Sequence, residues 1–140
     1  MKRAVIDASV LIKLFFEEDH SDRAEQCVRA AGELHAPDLI WAEAGNVIWK
    51  RYRRGDLSEE DAAAIAMQMM GLPIRIHPAV DLVLDALSFA MRFDRTVYDS
   101  LYVALAVMTN STMISGDRRL VNALSGTPLE QRAIWIGDSP

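Results

Sequence analysis

The chain alternates between short apolar runs and longer segments in which apolar residues recur with helical spacing. Val5 and Ile6 belong to the first run, which ends at Asp7 and is too short for a helix. Apolar runs of this length, bounded by turn residues, are typical of strands that are buried in a parallel sheet. The pattern predicts further strands at residues 34–37, 73–77, 112–115 and 133–136.

The segments between these runs have the spacing and the start and stop residues of helices. Ser21 or Asp22 is expected to cap the second helix, and Ser58 and Asp61 form a capping box. The predicted helices span residues 9–16, 21–31, 38–54, 58–71, 78–93, 101–110 and 120–124. In the fifth helix, one apolar stripe is expected to face the core: Val80, Val83, Leu84, Leu87 and Met91.

Because strands alternate with helices throughout, the sequence predicts an α/β protein with a parallel sheet covered on both faces. With 140 residues, the chain is expected to form a single domain over residues 1–140. Its single cysteine, Cys27, cannot form an intramolecular disulfide, and no apolar signal segment precedes the first strand. We therefore expect a cytoplasmic protein that does not enter a membrane.

The net charge of −5 counts against a protein that binds nucleic acid through a broadly basic surface. This objection weakens if several acids converge on a bound divalent cation, since the cation offsets part of the negative charge. The charge therefore directs attention to where the acidic residues lie.

Four acids occupy positions where a strand ends, a helix begins or an apolar stripe has its edge: Asp7, Glu43, Asp99 and Asp117. Each has a structural alternative, because the three aspartates are suited to cap helices and the glutamate to face solvent. Brought together, however, they would repel one another and resist ionising unless they share a cation. Carboxylates without Cys or paired His favour Mg²⁺ or Mn²⁺, which act on phosphate esters.

Two serines, Ser9 and Ser115, each stand two residues from one of these acids. They are expected to hydrogen-bond the carboxylates or a phosphate, with local turn bonds as the alternative. The three histidines, His20, His35 and His77, lack metal-ligand spacing and are expected in loops or at strand edges. They offer no rival site.

These residues form one ordered array: Val5-Ile-Asp7-Ala-Ser9, then Glu43 on a helix, then Tyr98-Asp99-Ser-Leu-Tyr-Val-Ala-Leu-Ala106, then Ser115-Gly-Asp117-Arg-Arg-Leu120. The array resembles the PIN-domain ribonucleases, and in particular the VapC-type toxins of prokaryotic toxin–antitoxin pairs. The resemblance covers nearly the whole chain. It implies a three-layer α/β/α sandwich with a central, mostly parallel sheet.

The resemblance further implies Mg²⁺- or Mn²⁺-dependent endonucleolytic cleavage of RNA. The four acids take the family's acidic positions, which makes them the expected catalytic residues and metal ligands. Ser9 matches the family's small hydroxyl or amide residue, and Ser115 stands where the family more often has Thr. Because family members commonly dimerise and are held inactive by a cognate antitoxin, we expect a homodimer and an antitoxin partner.

Two basic clusters flank the array, one at residues 50–54 and one directly after Asp117. The expected contacts to RNA phosphates are Arg51, Arg54, Arg118 and Arg119. Cations in the last turn of a helix also interact well with its dipole, which remains an alternative for the first cluster.

Two other functions remain open at this point. One is a metal-dependent DNA nuclease or phosphatase on the same scaffold, and the other is a non-catalytic module that keeps the fold to dock a partner. The four acids argue against the second, because a module without catalysis has no electrostatic reason to keep them together.

Overall fold

The computed structural model describes residues 2–138 and is built on a five-stranded sheet. The strands are β1 (Arg3–Ile6), β2 (Glu33–Pro37), β3 (Ile74–His77), β4 (Thr112–Ser115) and β5 (Ala133–Trp135). Their order across the sheet is β3-β2-β1-β4-β5, and every neighbouring pair is parallel. The predicted parallel sheet is therefore confirmed.

Helices cover both faces of the sheet, which gives the three-layer α/β/α sandwich. They are α1 (Ala8–Lys13), α2 (Ser21–Ala30), α3 (Leu39–Arg53), α4 (Glu59–Met70), α5 (Val83–Phe93), α6 (Val97–Met108) and α7 (Arg118–Leu124). Helix α6 packs on β1, β2 and β4, and α5 packs on α6. Helix α1 packs against α2 and α3, while α7 lies on β4 and β5.

The core is centred on β1 and α6. Ala4, Val5 and Ile6 are fully buried although successive side chains of a strand point to opposite faces, so both faces of β1 are covered. In α6, residues 100–106 are all buried. The helix predicted over residues 101–110 is therefore the central helix of the fold.

The strand order creates a switch point between β1 and β4. From β1 the chain proceeds outward through β2 to β3, and then returns to the other side of β1 to form β4 and β5. In open parallel sheets, ligands bind beyond the carboxyl ends of the strands at such a point. Asp7 follows β1 directly, and Asp117 lies two residues after β4.

The predicted stripe of α5 faces the wrong way. Val80, Val83, Leu84, Leu87 and Met91 are between 40% and 81% exposed. The buried side of this helix is a second apolar row, with Leu82 and Ala86 fully buried and with Phe89 and Phe93 packed against the core. Because both rows have helical spacing, the pattern alone did not distinguish the row that contacts α6.

The predicted cap of α2 is wrong, and the alternative role of Asp99 as a helix cap is excluded. Ser21 is the first residue of α2, and its hydroxyl donates to the carbonyl of Phe16 instead of capping. Asp99 lies inside the first turn of α6, whose cap is Thr96; the Thr96 hydroxyl accepts from the Asp99 backbone N–H. Asp99 therefore has no capping role.

The histidines differ in part from expectation. His35 is buried in β2, with its Nδ1 2.9 Å from Nε2 of His77, the last residue of β3. The other ring nitrogen of His35 is 3.2 Å from the Glu33 carboxylate.

Among residues 2–138, no helix is long and apolar enough to cross a membrane.

Candidate functional site

Asp7 lies at the centre of the candidate site, where β1 passes into α1. The Val10 backbone N–H donates to its Oδ1 (N···O 3.1 Å), so this carboxylate does cap the helix. The hydroxyl of Ser9 donates to the same oxygen at 2.5 Å, and the hydroxyl of Ser115 donates to Oδ2 at 2.5 Å. Both oxygens of this buried acid are thereby hydrogen-bonded, as burial requires.

The two serines join the β1–α1 junction to the β4–α7 junction. Ser9 Oγ also accepts the Gly116 backbone N–H at 2.8 Å, and Ser115 Oγ accepts that of Asp117 at 2.9 Å. A Cβ on Gly116 would stand 2.8 Å from Ser9 Oγ, which is too close for any side chain. Glycine at this position therefore allows the turn to reach Ser9.

Glu43 approaches the site from α3 and is partly buried. The phenolic O–H of Tyr102, on α6, donates to its Oε1 at 2.5 Å. The glutamate is therefore not a freely solvated helix residue. Asp117 caps α7 by accepting the backbone N–H groups of Arg119 and Leu120.

Burial and like charge act together on these acids. Desolvation raises the pKa of Asp7 above its usual range, and the nearby Asp117 adds to the rise. Desolvation likewise raises the pKa of Glu43, to which Asp7 and Asp99 contribute, and the pKa of Asp99, to which Asp117 contributes. Asp7, Glu43 and Asp99 thus each have a pKa that at least one other acid of the set helps to raise.

The donor chemistry of this cluster suits a hard cation, since it offers carboxylate and hydroxyl oxygens. Among residues 2–138, however, no three His, Cys, Asp or Glu side chains stand close enough together to hold a metal ion. The residues fit Mg²⁺ or Mn²⁺ in kind and location, but their side chains do not form a finished ligand set.

The basic residues near the site differ in their freedom. Arg51 is held by Glu18 (N···O 2.5 Å) and stacks over the ring of Phe16, and Arg54 pairs with Asp56. RNA would have to compete with these partners. Arg118 lies over the Trp135 ring, and Arg119 is exposed.

Lys13 is a basic residue that the sequence reasoning passed over. It ends α1, and its Cε would be 3.2 Å from a Cβ on Gly116. Lys13 therefore lies beside the serine bridge, as we name the hydrogen bonds of Ser9 and Ser115 that join the two junctions. Its ammonium group is 3.4 Å from Glu18. The DASVLIK segment places Lys13 six residues after Asp7, but its nearness to Gly116 has no local signal.

Comparison with known proteins decides the family. The model of the PIN domain matches residues 4–123. The chain belongs to the PIN domain family. It is similar to Ribonuclease VapC3 of Pyrobaculum aerophilum, at 35% identity over 84% of this chain and 92% of that protein. It is also similar to Ribonuclease VapC1 of Mycobacterium tuberculosis, at 27% identity over 96% of this chain and 99% of that protein.

Solved structures share the fold of this PIN domain. A toxin–antitoxin complex from Klebsiella pneumoniae matches with a TM-score of 0.66 and 16% identity, over 94% of this chain and 95% of that one. Mycobacterium tuberculosis VapC20, described as a sarcin-ricin loop cleaving toxin, matches with a TM-score of 0.66 and 17% identity, over 92% of this chain and 98% of that one. The predicted family and fold are therefore confirmed.

Residues 2–138 expose several apolar side chains, and many of them lie on two surfaces of this PIN domain. One is the α5 row, defined above by Val80, Val83, Leu84, Leu87 and Met91. The other is a cleft between α3 and α4, the α3–α4 cleft, lined by Gly45, Ile48, Trp49, Tyr52, Glu59, Ala62 and Ala63. Exposed apolar patches of this kind mark surfaces for protein partners.

Proposed function

We propose that this PIN domain is the ribonuclease toxin of a toxin–antitoxin pair and that it hydrolyses RNA with Mg²⁺ or Mn²⁺. The observation that carries the proposal is that Asp7, Glu43 and Asp99 all have raised pKa values to which other acids of the set contribute, beside the switch point of the sheet. The names of the relatives as ribonucleases and of the structural neighbours as toxins support it. Such a toxin acts on the RNA of its own cell, so we propose a cytoplasmic location.

The proposed metal ligands are Asp7 and Asp99, with Glu43 and Asp117 completing the set. Ionised carboxylates repel one another and resist closer approach. Neutralisation by a divalent cation would allow Glu43, Asp99 and Asp117 to rotate toward Asp7. When bound, such a cation lowers the pKa of a water molecule and stabilises the oxygen that leaves phosphorus.

The chain's own residues supply orientation around that chemistry. Ser9 and Ser115 hold both oxygens of Asp7, so this ligand starts from a fixed position. Arg118 and Arg119 follow Asp117 and are the proposed contacts to RNA phosphates, while Arg51 and Arg54 are reached only after their internal ion pairs break.

The test is cleavage of total RNA, tRNA and rRNA by the purified protein without antitoxin, with Mg²⁺, with Mn²⁺ and with EDTA. We expect metal-dependent cuts at defined sites that disappear in Asp99→Asn. The matched control is Asp22→Asn, which changes an exposed acid on α2 and should cleave as wild type does. Binding of metal without cleavage of any RNA would refute the ribonuclease and favour DNA or a small phosphate ester. Absence of metal binding would favour a non-catalytic module.

We further propose that the α5 row is the surface of a homodimer. An exposed apolar row can pack against the same row of a second copy under two-fold symmetry. Leu84 is 81% exposed in its middle, so Leu84→Glu should introduce like charges that face each other in the dimer. We expect this variant to sediment as a monomer with an unchanged circular dichroism spectrum, and a persistent dimer would refute the assignment.

The α3–α4 cleft is the proposed site for a helix of the antitoxin. Its concave shape suits the apolar face of an amphipathic helix, and Trp49, 49% exposed, offers an aromatic anchor at its edge. We expect Trp49→Asp to weaken antitoxin binding in a titration while RNA cleavage by the free toxin continues. If the variant and the wild type bind the antitoxin with equal affinity, the antitoxin binds another surface.

A further inference from the structure

Tyr102 is a buried residue at the site to which none of the preceding roles applies. It lies on α6, three residues after Asp99, and is 2% exposed. Its hydroxyl donates to Glu43 Oε1 at 2.5 Å, which links α6 to α3 across 59 positions of sequence. Among residues 2–138, no hydrogen bond reaches the other oxygen of this glutamate, Oε2.

We propose that Tyr102 is a positioning residue that holds one oxygen of Glu43 and so presents the other to the metal. This inference rests on the proposed function, because it assigns Glu43 to the ligand set. The hydroxyl contacts the ligand and not the substrate. In metal sites, such partners of a ligand orient it and tune its basicity.

Glu43 needs such a restraint because of its surroundings. Its side chain is long and flexible, and it is repelled by Asp7 and Asp99. Without a donor, rotation toward solvent would relieve this repulsion and remove the carboxylate from the site. The hydroxyl of a buried tyrosine is well suited to oppose that rotation, because the ring has few rotatable bonds and is fixed by core packing.

The position of Tyr102 on α6 adds a geometric consequence. Residues three apart on a helix lie on the same face, so Asp99 and Tyr102 both project toward the site. One rigid helix thus carries a proposed ligand and the group that orients a second ligand from α3. The register of α6 sets the position of both.

Tyr102→Phe tests the inference because it removes the hydroxyl and keeps the ring. Titration calorimetry with Mn²⁺ alone measures affinity without any cleavage assay. We expect the dissociation constant to rise about 10-fold or more, the range found for partners of metal ligands. The matched control is Tyr98→Phe on the same helix, where the ring is 63% exposed and no change is expected.

A double-mutant cycle with Glu43→Gln distinguishes positioning from a general structural effect. If Tyr102 acts through Glu43, adding Tyr102→Phe to Glu43→Gln changes Mn²⁺ affinity by less than about 2-fold. If the double variant loses Mn²⁺ affinity by the product of the two single losses, the inference is overturned. Circular dichroism and melting in EDTA verify folding. If Tyr102→Phe does not fold, Glu43→Asp serves instead, because its shorter side chain withdraws the carboxylate from the Tyr102 hydroxyl. Its affinity for Mn²⁺ should also fall about 10-fold.

The outcomes separate the inference from the proposed function. If the wild-type protein binds Mn²⁺ and Tyr102→Phe binds it with the same affinity, only the role of Tyr102 is refuted. Wild-type protein that binds no Mn²⁺ refutes the metal-dependent function, and the role of Tyr102 with it.

Discussion

Removal of the Ser115 hydroxyl is expected to destabilise the protein more than almost any other change of a single atom near the site. Ser115 is fully buried, and its hydroxyl makes two bonds: it donates to Asp7 Oδ2 and accepts the Asp117 backbone N–H. In Ser115→Ala, a buried carboxylate oxygen and a backbone donor both lose their partner. Neither loss is compensated by the methyl group that remains.

The magnitude follows from these two bonds. A hydrogen bond to a charged group contributes about 1.5–3 kcal/mol, and a neutral one about 0.5–1.5 kcal/mol. We therefore expect Ser115→Ala to lower the free energy of unfolding by about 2–4 kcal/mol. For a chain of 140 residues, this corresponds to a fall in melting temperature of roughly 6–15 °C.

The loss should also depend on pH. Burial raises the pKa of Asp7, and the hydrogen bonds from Ser115 and Ser9 oppose that rise. A carboxyl group with a raised folded-state pKa adds stability at low pH, and this contribution is lost as the pH rises through the folded pKa. Without the Ser115 donor the pKa of Asp7 rises further, so the gap between wild type and variant should be wider at about pH 8 than at about pH 5.

Urea unfolding in EDTA at several pH values measures this directly. The control is Ser125→Ala, which removes an exposed hydroxyl that bonds Glu130 at 3.3 Å and should cost less than about 0.5 kcal/mol. A Ser115→Ala variant as stable as this control would show that the serine bridge does not stabilise the fold. A gap that narrows as the pH rises would contradict the reasoning about Asp7.

Three further outcomes are expected. Asp99→Asn in EDTA should melt above wild type at neutral pH, because the pKa of Asp99 is raised by burial and a neighbouring carboxylate; a lower melting temperature would contradict this. Gly116→Ala should lower stability by about 1–3 kcal/mol in urea unfolding, since its Cβ would press on Ser9 Oγ, and a neutral result would mean that the turn shifts freely. Arg51→Ala should lower the free energy of unfolding by about 1 kcal/mol, because the ion pair with Glu18 is lost. If this variant binds RNA more weakly but unfolds like the wild type, Arg51 contacts an RNA phosphate instead.

The sheet was predictable because its strands carry a purely local signal. The run of residues 112–115 is short, has an apolar pair at its centre and is bounded by turn residues, and β4 occupies the same residues. Helix α5 was misjudged in orientation because it is apolar on two sides, and only the packing of α6 determines which side is buried. The alternative role of Asp99 as a helix cap fails because Thr96 precedes Asp99 by the spacing of a cap and its partner, which leaves the aspartate inside the helix.

The candidate site was predictable where acids follow strands and not where side chains meet across elements. Asp7 and Asp117 are found by the rule that strand ends line the functional edge. Tyr102 has no such mark, since its partner Glu43 is 59 residues away and the tyrosine sits in a helix that is otherwise core. Likewise, the ion pair that occupies Arg51 depends on the fold of the α1–α2 connection, where Glu18 lies.

The serine bridge also bears on when during synthesis the protein becomes complete. Asp7 and Ser115 are 108 residues apart, so the bond between them cannot form until most of the chain has left the ribosome. Asp99 and Asp117, too, are made late, and chains fold from their amino-terminal part first during translation. A partly translated chain therefore exposes Asp7 with neither its partner Ser115 nor its neighbouring acids. No fragment of the chain that ends before β4 contains the whole candidate site, because Ser115 closes β4 and Asp117 follows it.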